Sequence, residues 1–239
     1  MASPLVKFNE ANNHTMKFNS RVEYSFYELW PLIFTNIVLW AVIPGVFFGN
    51  LHTDTLEAAY WGRDLAFGYE KHPPVLSWLI QLFLVPGHFS IFSILILGQI
   101  FSIISTYYIY QSIRFLFNRR LAFVGGVLSL LTSTATFYSI QVNHNSAVIP
   151  FFAASFFFGI KYIRYVKIVD AIIFGLVFGL GALTKYEIIF VLPALSFIAL
   201  KNHRISSILK NINTYLMFFI ISVILTPHGV WLYDHGWSS

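Results

Sequence analysis

Apolar residues gather along the chain into seven runs, at 30–48, 91–113, 121–140, 148–163, 171–184, 188–200 and 212–226. A helix crossing the hydrocarbon core needs about 20 mostly apolar residues, because no water is present there to satisfy an open backbone. The runs approach that length and predict seven spanning helices. The fifth and sixth are short and only Lys185 to Glu187 separates them, which predicts a helical hairpin. An eighth apolar stretch, 74–85, carries Trp78 and Gln81 and ends in Pro86-Gly87. It is too short to span and predicts a helix lying in the membrane interface.

Composition points the same way. Of 239 residues, 57% are hydrophobic and 10% charged, with 26 phenylalanines; a soluble domain carries roughly one quarter charged residues. The expected class is an all-α polytopic membrane protein with about seven transmembrane helices and interfacial helices in the first outer loop. Residues 1–29 are expected to form a cytoplasmic segment, and 30–239 the transmembrane domain with its first outer loop at about 49–90. A polar stretch precedes the first span, so no cleavable signal peptide is expected and that span stays as an anchor. With no cysteine there is neither a disulfide framework nor a thiolate metal site.

The net charge of +5 forms no continuous basic stripe, so nucleic acid is not expected as a partner. Charge instead sets orientation. If 74–85 does not span, Lys7, Lys17, Arg21, Arg114, Arg119, Arg120, Lys161, Arg164, Lys167, Lys201, Arg204 and Lys210 share one side. Only Arg63, Lys71 and Lys185 fall on the other. That bias predicts a cytoplasmic N-terminus and a C-terminus outside, in a bilayer taken to be a bacterial inner membrane. The outer side collects Asp54, Glu57, Asp64, Glu70, Glu187 and Asp234, together with His52, His72, His88, His144, His228 and His235.

Within the first outer loop, 50–69 reads as a capped amphipathic helix. Thr53 or Asp54 serves as N-cap, Glu57 follows, and Gly68 stops it. Leu56, Ala59, Tyr60 and Phe67 are expected to face lipid, and Asp54, Glu57 and Asp64 a cavity. Pro73 and Pro74 then fix an extended kink that holds Glu70, Lys71 and His72 together at headgroup depth.

These residues carry a resemblance. Asp54 and Glu57, Tyr60-Trp61-Gly62, Gly68-Tyr69 and Lys71-His72-Pro73-Pro74 followed by Trp78 resemble the polyprenol-phosphate-sugar-dependent glycosyltransferases. That family includes the protein O-mannosyltransferases and the lipid A aminoarabinose transferases. Gly181-x-x-Thr184-Lys185-Tyr186, and Asn143-His144-Asn145 followed by Pro150, are similar to later family segments. The resemblance implies a GT-C fold and transfer of one sugar from a polyprenyl-phosphate donor to a glycan, lipid A or protein acceptor. In that picture Asp54 is the general base, with Glu57, Arg63, Tyr69, Lys71, Lys185 and Asn143 binding substrate. Glu57 or Glu70 with His72 would hold a divalent metal. Family members are about twice as long, so a second chain supplying a C-terminal half is an implied partner.

Two other readings compete: a non-catalytic or truncated membrane subunit of such an enzyme, and a polytopic transporter or flippase. A transporter places ionisable residues near the bilayer midplane, whereas here they gather at one interface. His228, Asp234 and His235 also present metal-ligand types near one another, and the glycines at 175, 179 and 181 predict close helix packing. No phosphate-binding loop, dinucleotide fingerprint or His-Glu-x-x-His pair occurs.

Overall fold

The computed structural model describes residues 25–47, 49–84 and 90–236. Lys7, Lys17 and Arg21, Phe48, His88 and the Pro86-Gly87 end of the interfacial stretch lie outside the described residues. The described residues form helices and connecting turns, with no strand among them. Helix α1 runs over Phe26–Phe47, opening as a 3₁₀ turn and passing through a π-helical turn at Val38–Val42. It is followed by α2 (Thr53–Trp61), α3 (Val75–Leu84), α4 (Ile91–Leu116) and α5 (Arg119–Leu130). Then come α6 (His144–Tyr165), α7 (Ile168–Ala182), α8 (Val191–Lys201), the single turn α9 (Ile205–Leu209) and α10 (Ile212–Asp234).

Among the described residues four helices, α1, α4, α6 and α10, are long and apolar enough to cross a membrane. The other expected spans are shorter. The run at 121–140 stays α-helical only to Leu130, then passes through turns to a 3₁₀ segment at Phe137–Ile140. Its Ser, Thr and Gly content explains the break. Thr132 and Thr136 hydroxyls donate to the Ser129 and Thr132 carbonyls and offer the backbone an alternative to the helical ladder. The predicted hairpin forms from α7, the Lys185 turn, a 3₁₀ segment at Tyr186–Phe190 and α8.

Three apolar clusters hold the bundle together. Leu29, Ile33, Tyr110, Ala122 and Leu130 join α1, α4 and α5. Phe158, Phe174, Ile188, Leu195 and Met217 join α6, α7, α8 and α10. The third joins α2 and α3 to α4 through Ala58, Leu76, Ile80, Ile94, Leu97 and Phe101. Helix α3 packs its Leu76 and Ile80 side against α2 and α4. Only 6% of the apolar window of α10 is buried, against 56% for α6. The outward side of α10 is largely apolar, as a lipid-contacting surface must be, while its other side packs on α7 against Gly175 and Gly179.

The two ends of the bundle differ. At one end Arg204 donates from Nε to the Ile163 carbonyl (3.1 Å) and from a guanidinium nitrogen to the Arg164 carbonyl (3.2 Å). Asn213 donates to the Val166 carbonyl at 3.0 Å, where Val166 ends α6 in the left-handed region (φ 53°). The last carbonyls of α6 are thus satisfied by side chains, as a helix end requires. Lys161 and the buried Asp170 pair there at 2.7 Å. The acids and histidines of 52–72 gather at the opposite end with 142–145, 183–187 and 228–231. Thr55 donates to the Val142 carbonyl (2.9 Å), and Val75 N–H to the Leu183 carbonyl (3.0 Å).

Gly62 decides how closely α2 and α3 approach. A Cβ there would lie 2.5 Å from the Ser77 carbonyl oxygen and 2.6 Å from Gln81 Cγ. Gly62→Ala is expected to destabilise the fold by about 1–3 kcal/mol. Its unfolding midpoint in detergent, measured against wild type, checks this; an unchanged midpoint would mean that the two helices can separate freely.

Candidate functional site

Helix α2 is built from a cap one residue earlier than the sequence pattern suggests. His52 is the N-cap, and its Nδ1 accepts from the Asp54 N–H at 3.3 Å. Thr53 and Asp54 fall inside the helix, which leaves the Asp54 carboxylate free of capping and half exposed. Leu56, Tyr60 and Phe67 are exposed as expected, whereas Ala59 is buried with Ala58 because Gln81 Nε2 donates to the Ala59 carbonyl at 2.6 Å. Nor does Gly68 stop the helix. A 3₁₀ turn at Gly62–Asp64 ends it, with Leu65 left-handed at φ 45°.

Gly68 instead makes room, since a Cβ there would overlap the Trp231 ring. The absence of a side chain lets α10 close on the loop. Next to it Tyr69 is buried and stacks parallel on Trp61 with centroids 5.7 Å apart. Burial pushes the Tyr69 phenol up, so it stays protonated.

Around this aromatic floor the charged groups converge. Lys71 Nζ lies 2.6 Å from Glu57 Oε1, and that hydrogen bond raises the ammonium above its ordinary value. Lys71 is exposed and Glu57 half-buried, and a pair this open to water orients Lys71 while adding little stability. The His72 ring stacks on His144 with centroids 3.9 Å apart. His144, the first residue of α6, is buried and its Nε2 has no hydrogen-bond partner. Lys185 Nζ reaches Asn145 Oδ1 at 2.5 Å and Glu187 Oε1 at 2.8 Å. Burial lowers the His72 imidazole, with Lys185 and Lys71 acting in the same direction against Glu57 and Asp54. One imidazole thus feels two carboxylates and two ammonium groups carried on three separate segments.

Asp54, Glu57, Lys71, His72 and Lys185, separated in sequence by up to 131 positions, are therefore brought together. Arg63 is not: its guanidinium lies over the Tyr60 ring at 5.7 Å. Asn143 serves as the α6 N-cap, its Oδ1 accepting from the Asn145 and Ser146 N–H groups. It does line a cavity of about 270 Å³ with Thr134, Tyr138 and Gln141. The suggested metal ligands do not fit an ion. Glu57 is taken by Lys71, Glu70 is exposed, His72 is stacked, and among the described residues no three ligand side chains form a metal cluster. His228 is committed elsewhere. Its ring contacts the Tyr186 hydroxyl (2.6 Å) and the Phe67 carbonyl (2.6 Å). The stacking of His144 on His72 and the bridging by His228 could not be read locally, since each depends on a partner more than 40 residues away.

A family model described as dolichyl-phosphate-mannose-protein mannosyltransferase matches residues 71–231, from Lys71 to Trp231. The chain belongs to this mannosyltransferase family. It is a GT-C-like, all-α polytopic membrane protein of a glycosyltransferase family. Over 190 residues, 78% of the chain, it is 30% identical to the lipopolysaccharide core galacturonosyltransferase RgtB of Rhizobium johnstonii. It is 28% identical over 171 residues, 68% of the chain, to the lipid A galacturonosyltransferase RgtD of the same organism. The chain spans 38% and 35% of the length of these two relatives. No solved structure matches. The matched segment of the mannosyltransferase family contains Lys71, His72, His144, Lys185 and His228; Asp54 and Glu57 precede it.

The lowered His72 gives the site a pH response. Its proton binds more tightly in the unfolded chain, so the stabilisation is present above the ordinary histidine value of 6.5 and is lost as pH falls below it. The unfolding midpoint is expected to drop on acidification through that range. His72→Gln should make the drop shallower without removing it; an unchanged slope would show that His72 contributes nothing to it.

Proposed function

We propose that this chain forms part of a membrane glycosyltransferase that moves a sugar from a polyprenyl-phosphate donor to a saccharide or lipid A-type acceptor. The reading places the reaction at the non-cytoplasmic membrane face, with the N-terminus in the cytoplasm. The observation that carries it is the convergence of Asp54, Lys71 and Lys185 around the neutral His72–His144 stack. A phosphoryl leaving group needs cations held at the headgroup plane, and an acceptor hydroxyl needs a carboxylate that can meet it. Lys71 and Lys185 supply the first and the exposed Asp54 the second. The names of the two relatives favour a lipopolysaccharide acceptor over protein.

In this mechanism the acceptor oxygen attacks the anomeric carbon of the donor sugar as its proton passes to Asp54. The bond between that carbon and the phosphate oxygen breaks, and polyprenyl phosphate leaves with the charge held by the two lysines. Glu57 keeps Lys71 extended toward the phosphate. Tyr69 and Trp61 wall the site from below.

Radiolabelled sugar transfer in membranes containing the whole protein tests the reading. Asp54→Asn is expected to lower the rate at least about 100-fold, the scale of a lost general base, while leaving protein level and unfolding midpoint unchanged. Wild-type transfer by that variant would remove Asp54 from the chemistry.

A further inference from the structure

The ring of His228 joins two segments that carry the proposed phosphate-binding lysines. Lys71 lies in the loop that follows Phe67, and Lys185 immediately precedes Tyr186. His228 Nδ1 lies 2.6 Å from the Phe67 carbonyl oxygen and Nε2 lies 2.6 Å from the Tyr186 hydroxyl. A carbonyl can only accept, so Nδ1 carries the proton and Nε2 accepts from the tyrosine O–H. The ring is buried, and Trp231 lies parallel to it, with centroids 6.3 Å apart and 7° between planes. Trp231 itself rests on Gly68, so the same turn of α10 grips the loop twice. Pro227, immediately before, has no N–H to give the helical ladder. A backbone bond from Val75 N–H to the Leu183 carbonyl ties the flanks of the same two segments.

We propose that His228 is a positioning residue for donor binding: through Phe67 and Tyr186 it fixes the separation of Lys71 and Lys185, and hence their joint grip on the donor phosphate. The inference rests on the functional reading above. His228 itself touches neither the reacting atoms nor the lysines. Its effect therefore falls on donor affinity, with the chemical step left to Asp54.

Three variants of the whole protein test this: His228→Phe, which keeps a ring against Trp231 but removes both hydrogen bonds, Tyr186→Phe, which removes one hydroxyl, and the double variant. Each single change is expected to raise the donor KM, and the Kd for polyprenyl phosphate, roughly three- to tenfold, the scale of one lost hydrogen bond. The value of kcat should stay near wild type. Because the two side chains act through one bond, the double variant should be no weaker than His228→Phe. Unchanged donor KM and Kd in Tyr186→Phe, or full additivity in the double variant, would overturn the proposal. Since Tyr186→Phe only deletes an oxygen, misfolding of His228→Phe would leave that variant decisive. The Kd for polyprenyl phosphate is read without turnover. If Asp54→Asn retained transfer, the functional reading would fail while a weakened Kd in Tyr186→Phe still supported the coupling of the lysines.

Discussion

Backbone groups surrounded by hydrocarbon have no water to bond to, and the rest of the molecule follows from that constraint. Long helices satisfy their own ladders, so irregular backbone is confined to the ends of the bundle or to places where side chains complete it. At one end Arg204 and Asn213 supply those bonds to the last carbonyls of α6. At the other, the loop after α1 is tied by Thr55 to Val142 and by Val75 to Leu183. The polar end is thus a set of loops pinned to one another, and functional side chains ride on pinned loops.

Its electrostatics follow from mixing signs over a partly buried aromatic floor. Glu57 fixes the direction of Lys71, while Glu187 and Asn145 do the same for Lys185. The two histidines between them stack face to face, an arrangement that tolerates neutral rings far better than two cations. The result is a surface with two oriented ammonium groups, the exposed Asp54 carboxylate and a wall of neutral imidazole. On the proposed function, these groups hold the donor phosphate and take the acceptor proton beside it.

Much of this is legible in the sequence. Hydropathy locates the long helices, because lipid imposes one simple rule on their composition. The asymmetry between basic and acidic loops matches the chemical difference between the two ends of the bundle, since each is a property of loop residues alone. Lys71 and Lys185 can be matched to family segments in which the motif is local. The α5 run is overestimated by hydropathy, which does not register the hydroxyl bonds of Thr132 and Thr136 that compete with the ladder. The His52 cap is hidden because histidine is not a usual capping residue. Arg204 reads as a topological charge and is also a helix cap. Asn143 reads as a ligand, and its Oδ1 also caps its own helix. The part of His228 cannot be read at all, for its partners stand 42 and 161 positions away.

That last separation bears on the order in which the molecule is made. The chain enters the membrane from its N-terminus, so the loop with Asp54 and Lys71 emerges long before α10 exists. Until the segment around His228 and Trp231 has been synthesised and packed, the Phe67 carbonyl lacks its partner and Gly68 its cover. Contacts of such sequence separation form late, because so much intervening chain must be ordered first. The Phe67–Gly68 corner of the charged end is therefore the last part to close, after the Thr55 and Val75 bonds that need only earlier segments, which makes α10 a timing element as well as a structural one.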